Sequence, residues 1–220
     1  MKKISTILKA SVAAIAVFLS SGANAQIDLK VNLLGVAFND YGIYGEYSIS
    51  ENMSAQLGVM YNRTTVGFSS SAADVSEELV YSGIKVIPSF RFYFSPDDPT
   101  EGFFVEPYIR FRSQSSNGLS VTVPVDDNGN YEDEWSDGAT YKDELIDYKT
   151  TRTKGGFGIA FGKKWVHDAG FVFETYAGFG KNTATNVKYS DDRVQEYYND
   201  ILTFDNPINI HMRLGASIGW

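Results

Sequence analysis

The sequence predicts an all-β fold: an antiparallel up-and-down eight-stranded transmembrane β-barrel with short periplasmic turns and long extracellular loops. Three observations predict it. Apolar and polar residues alternate with period two over stretches of about ten residues, which is strand rather than helix periodicity. The connections between these stretches alternate between short turns and long polar loops. The composition suits strands, because 15% of the 220 residues are aromatic and 20 are glycine, against only 6 prolines.

Residues 1–25 read as an export signal cleaved after Ala25. Lys2, Lys3 and Lys9 form the basic end, 10–19 an apolar run too short for a bilayer, and Ala23, Asn24 and Ala25 an A-x-A site. Residues 26–220 then form one barrel domain. Losing the three lysines takes the net charge from −8 to −11.

The strands follow in order. The first two, around 29–37 and 42–49, alternate least sharply. In the third, Ala55, Leu57, Val59 and Tyr61 oppose Ser54, Gln56, Gly58 and Met60. In the fourth, Ile84, Val86, Pro88, Phe90, Phe92 and Phe94 oppose Lys85, Ile87, Ser89, Arg91 and Tyr93. The fifth sets Phe103, Val105, Pro107, Ile109 and Phe111 against Phe104, Glu106, Tyr108, Arg110 and Arg112. The sixth sets Phe157, Ile159 and Phe161 against glycines and Ala160, and the seventh sets Phe171, Phe173, Thr175, Ala177 and Phe179 against Val172, Glu174, Tyr176 and two glycines. In the last, Ile208 to Trp220, the even positions are apolar, while His211, Arg213 and Ser217 lie among the odd ones. Short turns at 50–52, 95–102 and 166–170 face long connections at 69–78, 113–148 and 181–206. Only 39–41 is short on that second side.

Alternation alone fits a soluble sandwich as well as a membrane barrel. Three features select the barrel with its polar face inward. The polar face carries mid-strand charges beside glycines and serines, which suit a crowded lumen. Aromatic residues band the apolar face at both ends: Tyr47, Phe94, Phe103, Trp165 and Trp220 at one, Phe38, Tyr41, Tyr61, Tyr81 and Phe111 at the other. A cation on the lipid face costs about 2–4 kcal/mol at the midplane, and every mid-strand cation is in phase with the polar face. Lys163 and Arg63 break phase only at strand ends, where they can snorkel.

On these features the chain resembles the small eight-stranded bacterial outer-membrane barrels of the OmpX-like and OmpA-barrel-like type. The resemblance implies residence in the outer membrane as a monomer, contact with its lipids and lipopolysaccharide, and delivery by the barrel-assembly machinery. It also implies that the last strand, with Ile218 and terminal Trp220, serves as the assembly signal; that family more usually ends in Phe.

The expected lumen charges are Glu46, Lys85, Arg91, Glu106, Arg110, Arg112, Lys154, Lys164, Glu174, His211 and Arg213. Eight strands enclose a space that side chains can fill, so a packed network of charge pairs is expected ahead of a solute passage. The 113–148 connection is acidic, with Asp126, Asp127, Glu132, Asp133, Glu134, Asp137, Asp143, Glu144 and Asp147 against Lys142. Asn128-Gly129 signals a type I′ hairpin flanked by 121–125 and Tyr131, with neighbouring strands running on as a protruding ribbon. The carboxylates do not fit a calcium loop, since Pro124 stands at its first position.

Other functions are excluded or unsupported. Zero cysteines and two histidines leave no thiolate or multi-histidine metal site, and the acidic balance leaves no nucleic-acid footprint. No cofactor is expected, and no enzyme. Barrels that deacylate lipid A would call for His-x-Ser, whereas here His167 precedes Asp168-Ala169 and His211 precedes Met212-Arg213. A His211 dyad with Glu106 or Glu174 depends on register. The expected function is a non-enzymatic structural or surface-interaction protein acting through its acidic loops, with a narrow pore as the alternative.

Overall fold

The computed structural model describes residues 27–70, 75–94, 100–116, 119–132, 142–201 and 210–220. The export signal, Ile208 and the acidic residues Asp133, Glu134 and Asp137 therefore lie outside the described residues. Within them the strands are β1 Ile27–Asn32, β2 Asp40–Ser50, β3 Met53–Ser70, β4 Val75–Tyr93, β5 Gly102–Ser116, β6 Leu119–Val125, β7 Lys142–Tyr148, β8 Thr150–Val166, β9 Val172–Tyr189 and β10 Ile210–Gly219. Two helices join them, α1 Leu33–Ala37 and α2 Asp192–Ile201. A closed barrel forms in the order β1-β10-β9-β8-β5-β4-β3-β2, and β6 and β7 make a separate two-stranded sheet. Every pairing is antiparallel; each joins neighbours in the chain, save that β5 pairs with β8 across the β6–β7 insertion and β1 with β10 to close the ring.

Period-two alternation places the side chains. In β10, Met212 and Leu214 are 75% and 51% exposed while His211 and Arg213 are 8% and 7% exposed. The same phase turns Ile43, Val59, Ile84, Phe90, Ile109, Phe157 and Phe179 outward. The outer face is thus a continuous apolar surface, far larger than the few hundred Å² that a water-facing protein leaves bare. Phe94, Phe103 and Trp220 lie exposed at one rim and Phe38, Tyr41, Tyr61 and Phe111 at the other.

Lumen glycines have a specific use. Gly58 is the register partner of Tyr44, Gly158 of Tyr108, Gly162 of Phe104 and Gly215 of Tyr176. A Cβ at any of these glycines would meet the ring of its partner. Each glycine therefore seats an aromatic ring across the strand, and the rings fill the lumen.

Four sequence expectations need correction. The first strand stops at Asn32, and 33–37 is helix α1. Alternation fails there, with Leu33 beside Leu34, and the Asn32 side chain accepts a hydrogen bond from Gly35 N at 3.0 Å as an N-cap. The 69–78 connection is mostly strand: β3 and β4 run on to Ser70 and from Val75. At about 3.3 Å per residue β3 is about 60 Å long, roughly twice what a bilayer core spans. Residues 181–206 contain the end of β9 and helix α2. The Asn128-Gly129 turn is not type I′, because Gly129 has φ +82° while Asn128 is not in the left-handed region. Gly129 N bonds Asp126 O and Asp126 N bonds Asn130 O, a type I turn closed by a left-handed glycine. Beyond the bridge from Val125 to Tyr131, β6 pairs with β7, from Leu119↔Tyr148 to Val125↔Lys142.

Candidate functional site

The lumen is built in three levels, set by the strand register. At the short-turn end lie four carboxylates, Asp28, Glu46, Glu106 and Glu174, with four cations, Lys30, Arg91, Lys164 and Arg213; all are buried. Arg91 is the hub. Its Nη1 donates to Glu174 at 2.5 Å and to Glu46 at 3.1 Å, its Nη2 to Glu174 at 3.1 Å, and its Nε to Glu106 at 3.1 Å. Its guanidinium carbon also lies 4.2 Å from the centre of the Phe104 ring. Lys30 joins Glu46 and Glu174 at 2.5 and 2.7 Å, Lys164 joins Asp28 at 2.5 Å, and Arg213 joins Glu106 at 2.6 Å. Ser54 at 2.5 Å and Tyr93 donate to the second oxygen of Glu46, and Gln56 donates to Glu106 at 3.2 Å. Charges out of water persist only when paired and hydrogen-bonded in this way.

Above this level Tyr44, Met60, Ile87, Tyr108 and Ala160 form an apolar layer, and the Tyr44 and Tyr176 hydroxyls meet at 3.0 Å. Arg213 passes through it, 4.6 Å from the Tyr176 ring centre and 4.9 Å from that of Tyr108. The third level, toward the long connections, is cationic. Lys85, Arg110, Arg112 and Lys154 face inward with Asp40 as the carboxylate among the described residues. Lys85 pairs with Asp40, Arg110 donates to Asn182 Oδ1 at 2.6 Å, and His211 Nε2 meets the Tyr108 hydroxyl at 3.0 Å.

Past the barrel mouth, the β6–β7 ribbon and α2 form a cap with its own apolar core of Val123, Val125, Ile146, Tyr148 and Val194. Asp191 caps α2, accepting from Arg193 N at 2.9 Å. Arg193 also reaches Glu144 on β7 at 3.2 Å and the Gly129 carbonyl at 3.3 Å, so one side chain joins helix, ribbon and turn. Hydrogen bonds from Arg193, side chain first, hold the Asp191 carboxyl below the usual carboxylate range, and the same contacts raise Arg193. Of the predicted acidic residues, Asp126 is the turn's own acceptor, taking Asn128 N and Asn130 N at 2.9 and 2.8 Å; the Asn130 amide is the main cause of its lowered pKa. Asp127 is exposed and Glu132 half-buried. Among the described residues no three acidic or histidine side chains converge as a metal site.

Of the predicted lumen residues, Glu46, Arg91, Glu106, Lys164, Glu174 and Arg213 meet in one network. Lys85, Arg110, Arg112, Lys154 and His211 do not join it; they belong to the cationic level. His211 is bonded to a tyrosine and not to Glu106 or Glu174, so the dyad is absent. Sequence reasoning missed Asp28, Lys30 and Asp40, although Asp28, Lys30 and Asn32 alternate with Ile27, Leu29 and Val31 and could have been read as a charged lumen face. At the last strand, Leu29 N donates to Trp220 O at 2.8 Å and Trp220 N to Leu29 O at 3.2 Å, so the terminal residue closes the ring through its backbone.

Taken together, these features define an antiparallel up-and-down β-barrel, apolar outside and charged within. The chain belongs to the family described as a protein of unknown function, DUF3575, whose profile matches residues 9–203. No curated protein matches it. Three solved structures are similar in outline. A major outer membrane protein from Thermus thermophilus shares 12% identity, with 90% of this chain and 99% of that one covered and a TM-score of 0.47. CarO2 of Acinetobacter baumannii shares 10% over 89% and 98%, TM-score 0.40, and CarO of the same organism 13% over 88% and 94%, TM-score 0.41.

Proposed function

We propose that this chain is an integral protein of the bacterial outer membrane, exported by the signal at 1–25, with no catalytic role, and that it acts at the cell surface through the cap and the extended β3–β4 ribbon. The observation that carries this reading is the inverted polarity: large apolar side chains cover the outside while a neutralised set of eight charges fills the short-turn half of the lumen. In water the outer face would be unstable, and in lipid an inward-facing charge avoids the cost of about 2–4 kcal/mol of a cation on the outer face. The short-turn end then faces the periplasm, and the ribbon, α2 and the acidic connection face outward toward lipopolysaccharide and surface partners. Ile218 and Trp220 serve as the assembly signal at the closing strand. A pore finds less support, since the charge network and the ring layer occupy the width of an eight-stranded barrel.

The test is fractionation followed by gel mobility of unheated and boiled samples, then planar-bilayer conductance. The expected result is a membrane-fraction band that shifts on boiling and shows no steady conductance. Recovery in the soluble periplasmic fraction would overturn the membrane reading; stable single-channel steps would overturn the closed-lumen reading alone.

A further inference from the structure

The barrel wall is not equally closed all round. β1 is short, so among the described residues its register with β10 runs only from Lys30↔Gly219 to Asn32↔Ser217. Among the described residues β1 leaves Ile210 to Ala216 of β10 without a partner on that edge, and helix α1 packs against β10. Inside the lumen at this edge is a small cavity of about 70 Å³. Its lining includes β10 from His211 to Leu214 and Asn32 at the end of β1.

The inner lining is basic. Lys85, Arg110, His211 and Arg213 border it, with Asp40 as its carboxylate. Arg213 is buried and spends Nη1 on Glu106, yet its Nε and Nη2 have no hydrogen-bond partner. Those two N–H groups lie side by side on one edge of the guanidinium, the spacing that receives two oxygens of a phosphate or carboxylate. His211 Nδ1 is likewise buried without a partner. Buried donors left unpaired are unfavourable, and an oxyanion is the ligand class that satisfies several at once. The carboxylates of the network beneath are paired with its cations; at the cavity Asp40 pairs with Lys85 through Oδ2, and its Oδ1 is buried without a partner.

We infer that this cavity is an oxyanion site that takes a phosphate group, beside the part of β10 that β1 leaves unpaired. The phosphate belongs either to a free small ligand or to a lipid headgroup. The inference stands apart from the membrane reading, because its test uses the detergent-purified barrel.

The mature protein, folded in a phosphate-free non-ionic detergent and checked by its mobility shift on boiling, is titrated calorimetrically with inorganic phosphate and, separately, with dihexanoyl phosphatidic acid. Saturable one-to-one binding of inorganic phosphate supports the site with a free ligand as its source. Saturable binding of the phosphatidic acid alone supports it with a headgroup as its source. In either case Arg110→Gln and Lys85→Gln, both outside the lower network, should weaken binding about tenfold or more while the mobility shift is kept. Absence of saturable binding in both titrations, or binding unchanged in both variants, overturns the inference.

Discussion

Arg91 offers the sharpest test of how the lumen is held together. It is fully buried, donates to three carboxylates, and covers the Phe104 ring. Arg91→Met keeps much of the volume and removes one positive charge, leaving Asp28, Glu46, Glu106 and Glu174 with Lys30, Lys164 and Arg213. Glu46 keeps Lys30 and Lys164, Glu106 keeps Arg213, and Glu174 keeps Lys30, which it shares with Glu46. Breaking a buried pair from one side costs about 3–5 kcal/mol, because the remaining charge stays out of water. With a urea slope of about 1–3 kcal/mol/M, the unfolding midpoint should fall by about 1 M or more. Adding Glu174→Gln to Arg91→Met leaves three acids with three bases, so the double variant should recover most of the loss. The assay is urea unfolding of the refolded barrel, followed by tryptophan fluorescence and by mobility of unheated samples. A single variant within about 1 kcal/mol of the parent, near what an exposed pair is worth, would refute the reasoning. So would a double variant no more stable than the single.

Leu214→Arg places a cation on the outer face of β10 and should destabilise the barrel in lipid vesicles by about 2–4 kcal/mol. Leu145→Arg, on the exposed side of the cap ribbon, should change its unfolding little; equal effects would contradict the face assignment. Deleting Trp220 removes both backbone bonds to Leu29 and should lower the yield of refolded, heat-shiftable barrel. Arg193→Ala should free the cap and speed chymotryptic cleavage near Tyr131, Tyr189 and Tyr197, with the barrel band left intact. Acid should free the cap too. The folded-state pKa of Asp191 lies below its unfolded value, so its contribution is complete above about pH 3.9 and is lost as pH falls through the folded value. Peptic cleavage of the cap should therefore rise below about pH 4, and a pH-independent rate would rule out the Asp191–Arg193 clasp.

Much of the barrel was legible because a strand with one face outward and one in a lumen has to alternate, and β5 and β10 do so throughout, as do β4 from Ile84 and β9 as far as Asn182. The signal was lost where that constraint lapses. The sequence alternates poorly at the ends of β3 and β4, which read as loop there, although backbone pairing simply continues from Thr64↔Tyr81 to Ser70↔Val75. Helix α1 is too short for a periodic signature, and its evidence is a single capping asparagine. Individual lumen charges were legible from phase, but their grouping was not. Glu174 meets Arg91 only because register and barrel closure set them side by side across 83 positions of chain. The bulge between β8 and β9, where Gly155 faces Ala184 and Gly156 faces Asn182, leaves Thr183 unmatched and re-phases the top of β9, which no local pattern announces.

The cap has an apolar core of its own, fed by β6, β7 and α2 and sharing none of its buried residues with the barrel lumen. The two parts can therefore change at different rates. Substitutions on the exposed side of the ribbon, at Thr122, Leu145 or Asp147, alter the face that the cap presents and leave every lumen contact as it was. A plan of this kind lets the exposed face be rewritten while the buried charge network stays the same.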